Sequence, residues 1–328
     1  MKFTIETLQQ AQGKISQAKL GRLEALFMPV WLETGVEKFE GSNVRRTKKK
    51  KISFGLGKLN AFLSSIDRRL IKNYLATKEI KDGEVKLLRL NKKPGFVFLA
   101  VQQKFDSKKF SLLVRQFILT AKREGFKNIG IYLDDFEGKE ISLDKITEMI
   151  SENSLLAHFN FSEYFKSKPD KGWKLVENIF IFSKHDAAHL QKGIERGEKT
   201  AGAVNKCRVL ANYPADRMTP EGLAEEARQL AKQFKKIKLT VFDEKKLKSE
   251  EMNAILAVGK GSQFPPRLII LEYSGAKSGE PYIAFVGKGV TFDSGGLDLK
   301  PSNGMTDMHL DMSGGAAVIN ALGLIADL

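Results

Sequence analysis

Ionisable side chains crowd one short stretch of this 328-residue chain. After the apolar run Ile283-Ala284-Phe285-Val286, which reads as a buried strand ending at Gly287, come Lys288, Asp293, Asp298, Lys300, Asp307, His309 and Asp311. In open α/β sheets, ligands gather beyond the carboxyl ends of strands. Gly287-Lys288-Gly289 and Gly295-Gly296 let the backbone bend sharply and come close to a ligand. A catalytic pocket is one reading of this cluster. A phosphate-cradling loop is another, although the two glycines, lysine and Ser/Thr of a P-loop do not occur at their fixed spacing. Aspartate and lysine in glycine-rich loops also serve as turn formers and solvated charges.

The elements that would position this cluster alternate between strand and helix. Val85 to Leu90 and Gly95 to Val101 are short apolar runs bounded by turn residues. A helix is expected over Ser107 to Glu124, with Phe110, Leu113, Val114, Phe117, Ile118 and Ala121 on one face and Gly125 as a left-handed cap. Ile129 to Leu133 reads as a strand, Leu143 to Ile150 and Leu155 to Phe165 as helices, and Val176 to Phe182 as a strand. The turn-rich run Ser167-Lys168-Pro169-Asp170-Lys171-Gly172 places a domain boundary there. A long helix follows from His185 to Leu210. Thr219-Pro220-Glu221 opens another, with threonine as the cap and proline at the first helical position. Leu239 to Phe242, Ala254 to Val258, Leu268 to Tyr273 and Ile283 to Val286 are four further strand candidates. The expected fold is α/β, with a smaller N-terminal α/β domain over residues 1–168. A catalytic α/β domain with a mostly parallel central sheet is expected over 169–328.

Hydrophobic residues make up 42% of the chain and charged residues 28%, which excludes a disordered polymer and leaves material for two cores. The single cysteine, Cys207, excludes an intramolecular disulfide framework or a paired-cysteine zinc site and fits a reducing compartment. No signal peptide or apolar run of about 18 residues is evident, so a cytoplasmic protein without a membrane partner is expected. The net charge of +15 favours contact with nucleic acid or another anionic surface. The densest basic run is Arg45-Arg46-Thr47-Lys48-Lys49-Lys50-Lys51, which also reads as a solvated loop.

The stretch VGKGVTFDSGGLDLKPSNGMTDMHLDMSGGAA, Val286 to Ala317, resembles the metal-binding segment of the leucyl aminopeptidase (cytosol aminopeptidase) family nearly position for position. Upstream, Cys207-Arg208-Val209-Leu210-Ala211-Asn212 with Met218-Thr219-Pro220 resembles the opening of that family's catalytic domain. Ala257 to Ser262 and Pro265 to Tyr273 are similar to its next two strands. The likeness runs from about residue 155 onward. It implies a metalloaminopeptidase that releases N-terminal amino acids from peptides through attack of a metal-activated hydroxide, using two manganese or zinc ions. Carried over, Lys288, Asp293 and Asp311 are metal ligands, Lys300 is the catalytic lysine that polarises the scissile carbonyl, and Met308 lines the substrate-binding pocket. Carboxylates suit such hard cations, and two ions about 3.5–4 Å apart can share an acidified water. Lysine as a ligand must be neutral, which adjacent dications favour by repulsion. Asp298 and Asp307 read as turn or capping residues, and His309 has no matching ligand role.

The family's Asn-Thr-Asp-Ala-Glu-Gly-Arg stretch, which supplies its remaining acidic ligands and the arginine for bicarbonate, does not occur here. The expectation is therefore a C-terminally truncated chain holding the first half of the catalytic domain, with its own activity in question. The resemblance also implies assembly as a homohexamer. A non-catalytic basic protein that binds nucleic acid, or a fragment without function, is the competing reading.

Overall fold

The computed structural model describes residues 1–8, 17–34, 52–56, 63–77, 82–102, 104–136, 140–164, 174–276 and 280–328. The basic run at Arg45–Lys51 and the turn-rich run at Ser167–Gly172 lie outside these residues. The chain divides into two compact units, Met1–Glu198 and Lys199–Leu328.

The first unit is built on a seven-stranded sheet comprising β1 (Lys2–Thr7), β2 (Ala25–Thr34), β3 (Ile52–Leu56), β4 (Val85–Arg89), β5 (Phe96–Gln102), β6 (Asn128–Tyr132) and β7 (Asn178–Ser183). Its order is β1-β7-β6-β2-β5-β4, with β3 beside β2. Five strands run parallel, and β3 and β4 pair antiparallel with β2 and β5. Helices α1 (Gln17–Gly21) and α2 (Ser65–Thr77) contribute to one buried cluster; α3 (Ser107–Glu124) and α4 (Leu143–His158) contribute to the other. Parallel strands covered on both faces need apolar residues in both directions. In β2, Ala25 and Phe27 enter the α3/α4 core while Leu26, Met28 and Val30 enter the opposite one.

The α3 expectation holds to the residue. Its six periodic apolar side chains are buried, Asp106 accepts from Lys109 N at 2.7 Å, and Gly125 caps with φ +80°. The two helices expected after it merge into one continuous α4 that ends at His158, so residues 159–164, expected to be helical, are not. Val176 to Phe182 was expected to open the second domain. Instead β7 sits between β1 and β6 inside the first unit's sheet, because its alternate residues Ile179 and Ile181 complete that core. The contacts thus divide the chain inside the next helix, α5 (Ala187–Asn212), rather than near residue 168.

Helix α5 lies against α4 at very close range. Thr147 Oγ1 donates to Leu190 O and Ser151 Oγ to Ile194 O, both at 3.1 Å. This approach exists because Gly193 and Gly197, one turn apart, present no Cβ. At Gly197 a Cβ would collide with Ser151 Oγ and the Glu148 carbonyl.

The second unit contains α6 (Pro220–Gln233), β8 (Ile237–Phe242), α7 (Glu244–Ser249), α8 (Asn253–Gly259), β9 (Leu268–Tyr273), α9 (Ser302–Met305) and α10 (Ser313–Asp327). Thr219 caps α6 as expected, accepting from Gly222 N at 3.1 Å with Pro220 next. Two sequence expectations change here. Ala254 to Val258 is helical, within α8, and Ile283 to Val286 forms no strand or helix and pairs with no strand among the described residues. A short apolar run suits either conformation, and only a neighbouring ladder makes it a strand. The sheet of this unit is accordingly the antiparallel pair β8–β9 among the described residues, and the mostly parallel sheet belongs to the first unit.

Residues 302–327 are apolar enough on average to resemble a membrane span. They are broken, however, into α9, a 3-10 turn at Met308–Met312 and α10. At 15 residues, α10 is about 22 Å long, short of a hydrocarbon core of about 30 Å. It buries Gly315, Ala316, Ile319 and Gly323, the last against Leu230 of α6.

Two outcomes test this architecture. Gly197→Ala should lower stability in urea unfolding by about 1–3 kcal/mol through overpacking, whereas Gly202→Ala on the same helix, where a Cβ meets nothing within 4 Å, should leave stability equal or raise it by up to about 1 kcal/mol. Burial, aided by the Lys122 ammonium, pushes the His158 imidazole from 6.5 down to about 4. The unfolded chain then takes up the proton first, so this contribution is complete above about pH 6.5 and is lost as pH falls toward 4. Between pH 7 and pH 4.5 the wild type should lose about 1–2 kcal/mol more than His158→Gln, after allowance for solvent screening of a half-buried group.

Candidate metal and catalytic site

The site is framed by a contact between two backbones. The segment Gly287-Lys288-Gly289 crosses the start of α10, where Gly315 N donates to Lys288 O at 2.7 Å. A Cβ at Gly287 would sit 2.7 Å from the Gly314 carbonyl carbon and 2.8 Å from Gly315 Cα. Leu223 of α6, buried, supports the crossing from behind, lying 3.4–3.6 Å from where side chains at Gly315 and Gly289 would begin. Helix α6 is itself tied down by Glu221, whose carboxylate takes Arg228 and Arg267, each at 2.7 Å. The two guanidiniums hold that carboxyl below its ordinary range.

This crossing delivers Lys288 to Asp311. The ammonium lies 2.9 Å from Asp311 Oδ2, an oxygen with almost no access to solvent, at the end of the 3-10 turn that leads into α10. The hydrogen bond to Asp311 raises the Lys288 pKa above the ordinary lysine value, with Coulomb attraction from Asp311 and Asp293 adding to it.

A second pair forms across a small hairpin. Lys300 N donates to Ser294 O at 2.9 Å, and Gly295 bridges Leu299, with Gly295 at φ +92° where other residues would be strained. The hairpin sets Lys300 Nζ 3.4 Å from Asp293 Oδ2, while Gly295 N donates to Asp293 Oδ1 at 2.9 Å. The Asp293 carboxyl is held below its ordinary range, first by the Gly295 N–H and, against the opposing effect of desolvation, by Lys300 and Lys288.

Four of the sequence-derived residues are thus joined as two ion pairs, Lys288–Asp311 and Lys300–Asp293, with Lys288 also in the field of Asp293. Met308 stands half-buried three residues before Asp311 on the same 3-10 turn. Asp298 is exposed at the hairpin, and Asp307 precedes the turn without a side-chain cap bond. Sequence reasoning noticed the glycines as bends but missed their use as a backbone crossing. It also missed Leu223 and the Glu221 clamp, neither of which has a motif of its own.

Asp311 against the Lys288 amine, with Asp293 near enough to act on that amine through its charge, could offer donors to a divalent cation, with the lysines balancing the charge in its place. Among the described residues no group of three His, Cys, Asp or Glu side chains forms a metal cage. The set suits part of the coordination sphere of one ion and falls short of two.

Comparisons with known proteins bear on this site. The profile described as the cytosol aminopeptidase family, catalytic domain, matches residues 205–328. A cytosol aminopeptidase of Pseudomonas aeruginosa is 40% identical over 164 residues, which is 50% of this chain and 33% of that protein. A protein of Pseudomonas fluorescens named "Probable cytosol aminopeptidase" is 34% identical over 226 residues, 69% of this chain and 45% of that protein. The chain spans less than half the length of these curated relatives. Among solved structures, a tomato leucine aminopeptidase mutant superposes with a TM-score of 0.69 at 21% identity, covering 100% of this chain and 59% of that one. The bottromycin maturation enzyme BotP, in complex with Mn, gives 0.65 at 21% identity over 93% of this chain and 56% of that one. At that identity the two structures attest the shared fold. Residues 205–328, which carry both ion pairs, thus match the catalytic domain of the cytosol aminopeptidase family.

Proposed function

We propose that the second unit carries part of a metal-dependent aminopeptidase site, in which Asp293, Asp311 and Lys288 as the neutral amine hold a divalent ion. The observation that supports this reading best is the double pairing of Lys288 with Asp311 and Lys300 with Asp293, on a glycine-framed loop within the family's catalytic domain. A structural neighbour named as a manganese complex makes Mn2+ the first ion to test. When bound, such an ion supplies Lewis acidity and acidifies a water toward neutral pH.

The side chains divide the remaining work. Lys300, released from Asp293 by the incoming charge of the ion, donates to the oxygen of the scissile carbonyl as negative charge develops there. Asp293 is oriented for its role by the Gly295 N–H, and Asp311 by its fixed place ahead of α10. Met308 offers an apolar wall to the first side chain of a peptide substrate. The names of the relatives support peptides as substrates and the cytosol as the place of action, and assembly as a homohexamer is the oligomer to test.

Calorimetric titration should show about one Mn2+ per chain, and Asp311→Asn should weaken it by at least about tenfold, the loss of one charged ligand. Binding unaffected by Asp311→Asn would remove this residue from the site. In manganese, hydrolysis of a leucyl-amide substrate should fall about 100- to 1,000-fold in kcat for Lys300→Ala with KM little changed. Equal turnover by variant and wild type would exclude the oxyanion role.

A further inference from the structure

The crossing that sets Lys288 beside Asp311 has a third member. Leu223, buried in the first turn of α6, places its Cδ2 3.4 Å from where a Cβ on Gly315 would start and 3.6 Å from where one on Gly289 would start. One methyl group thus fills the space that two glycines leave open, and in an interior packed as densely as a crystal the two main chains must follow it when it moves. Leu223 in turn moves with α6.

An ion triad holds this end of α6 from its other side. With 3.6 residues per turn, Glu221 and Leu223 stand about 200° apart around the helix, so Glu221 faces away from the crossing. Its carboxylate takes Arg228 of its own helix and Arg267, the residue that leads into β9, each at 2.7 Å. Arg267 is anchored independently, because its guanidinium also donates to the Pro266 carbonyl at 3.0 Å. The Glu221–Arg267 bond therefore ties α6 to the start of β9 and resists rotation of the helix about its axis, the motion that would withdraw Leu223 from the glycines. Among the described residues neither Glu221 nor Arg267 pairs with Lys288 or Asp311.

We infer that Glu221 and Arg267 are positioning residues for the Lys288–Asp311 pair: their bond fixes the first turn of α6, that turn fixes Leu223, and Leu223 fixes the crossing of Gly289 and Gly315. The consequence for cation binding rests on the reading of that pair as part of a metal site. When the crossing is loose, an incoming cation must itself order Lys288 and Asp311, and that ordering entropy is subtracted from its affinity.

The test compares Glu221→Ala and Arg267→Ala with Glu225→Ala in the full 328-residue chain. Glu225 lies on the same helix and takes the same Arg228, at 3.1 Å, but has no bond to Arg267, so its loss removes an equal charge without touching the link to β9. Two quantities are read: hydrogen exchange at the Gly315 N–H, which donates to Lys288 O, in the metal-free chain, and calorimetric affinity for Mn2+ alone. Glu221→Ala and Arg267→Ala should each speed exchange at Gly315 at least about tenfold, as expected when a local opening becomes easier. They should weaken Mn2+ by about tenfold, the lower end of what outer supports of metal ligands contribute. Glu225→Ala should leave both at the wild-type value, and exchange at the Leu247 N–H, bonded to Asp243 O in α7, should stay unchanged in all three. Leu223→Met, which keeps the volume, should behave as wild type, whereas Leu223→Ala should loosen Gly315. An equal effect of Glu225→Ala, an equal rise at Leu247, or faster exchange at Gly315 with Mn2+ affinity intact would overturn the proposal. A wild type that binds no Mn2+, with Gly315 still loosened by the variants, would leave the positioning role standing and defeat the metal-site reading. Normal Mn2+ binding with Gly315 indifferent to Glu221→Ala would do the reverse.

Discussion

The close crossing of Gly287 over Gly314 and Gly315 is the constraint on which the second unit's chemistry depends. It is a contact between main chains with no side chain in the way, closed by the Gly315 N–H on the Lys288 carbonyl. Because Lys288 belongs to one partner of the crossing and Asp311 lies just ahead of the other, their pairing follows from the backbone rather than from the reach of flexible side chains. A lysine stem loses substantial rotamer entropy when held, so a site that used it without such a frame would be poorly organised. The Glu221 clamp and Leu223 carry the same rigidity back into α6.

The two ion pairs give the metal-free site a specific electrostatic state. Two aspartates close to one another would repel and raise each other's pKa; two lysines interleaved with them remove that cost. Lys288 and Lys300 nevertheless differ in what the arrangement lets them do. Lys288 is committed to a carboxylate oxygen shut off from solvent, whereas the partner of Lys300 is also satisfied by the Gly295 N–H. Lys300 can leave Asp293 without stranding a carboxylate. That asymmetry is consistent with the division of roles proposed for Lys300 and Lys288.

How much of this was legible in the sequence depended on whether the determining interactions were local. Helix α3 could be read to its last residue because its stripe, its cap and Gly125 lie within 20 residues, and Thr219-Pro220 located the start of α6 for the same reason. Strands β4 to β7 were legible as short apolar runs bounded by turn residues, whereas β1, β2 and β3 went unread. The division of the chain was not, since the membership of β7 is decided by β1, at the far end of the first unit. Ala254 to Val258 and Ile283 to Val286 were misread together: both are short apolar runs whose conformation is set by neighbours, not by composition. Within the site, Lys288, Asp293, Lys300 and Asp311 were found by likeness to a family. Their pairing into two couples needed the crossing and the hairpin, which spacing alone does not disclose.

The two units differ in how their polar groups are used, and the proposed site lies in the second. In the first, each central strand is paired on both sides and covered on both faces, and several of its polar side chains are spent on structure, although buried Gln102 of β5 is not. Asp134 is typical, its carboxylate taking the Ser183 hydroxyl at 2.6 Å and the Lys184 N–H. In the second, the described strands number two, an apolar segment stands unpaired, and the ionisable groups sit where that segment ends. A carboxylate fully satisfied by fixed donors has no coordination left to offer a cation. Asp311 is paired instead with an ammonium group, and Asp293 with an ammonium group and a single backbone N–H, which leaves each carboxylate less fully occupied than that of Asp134.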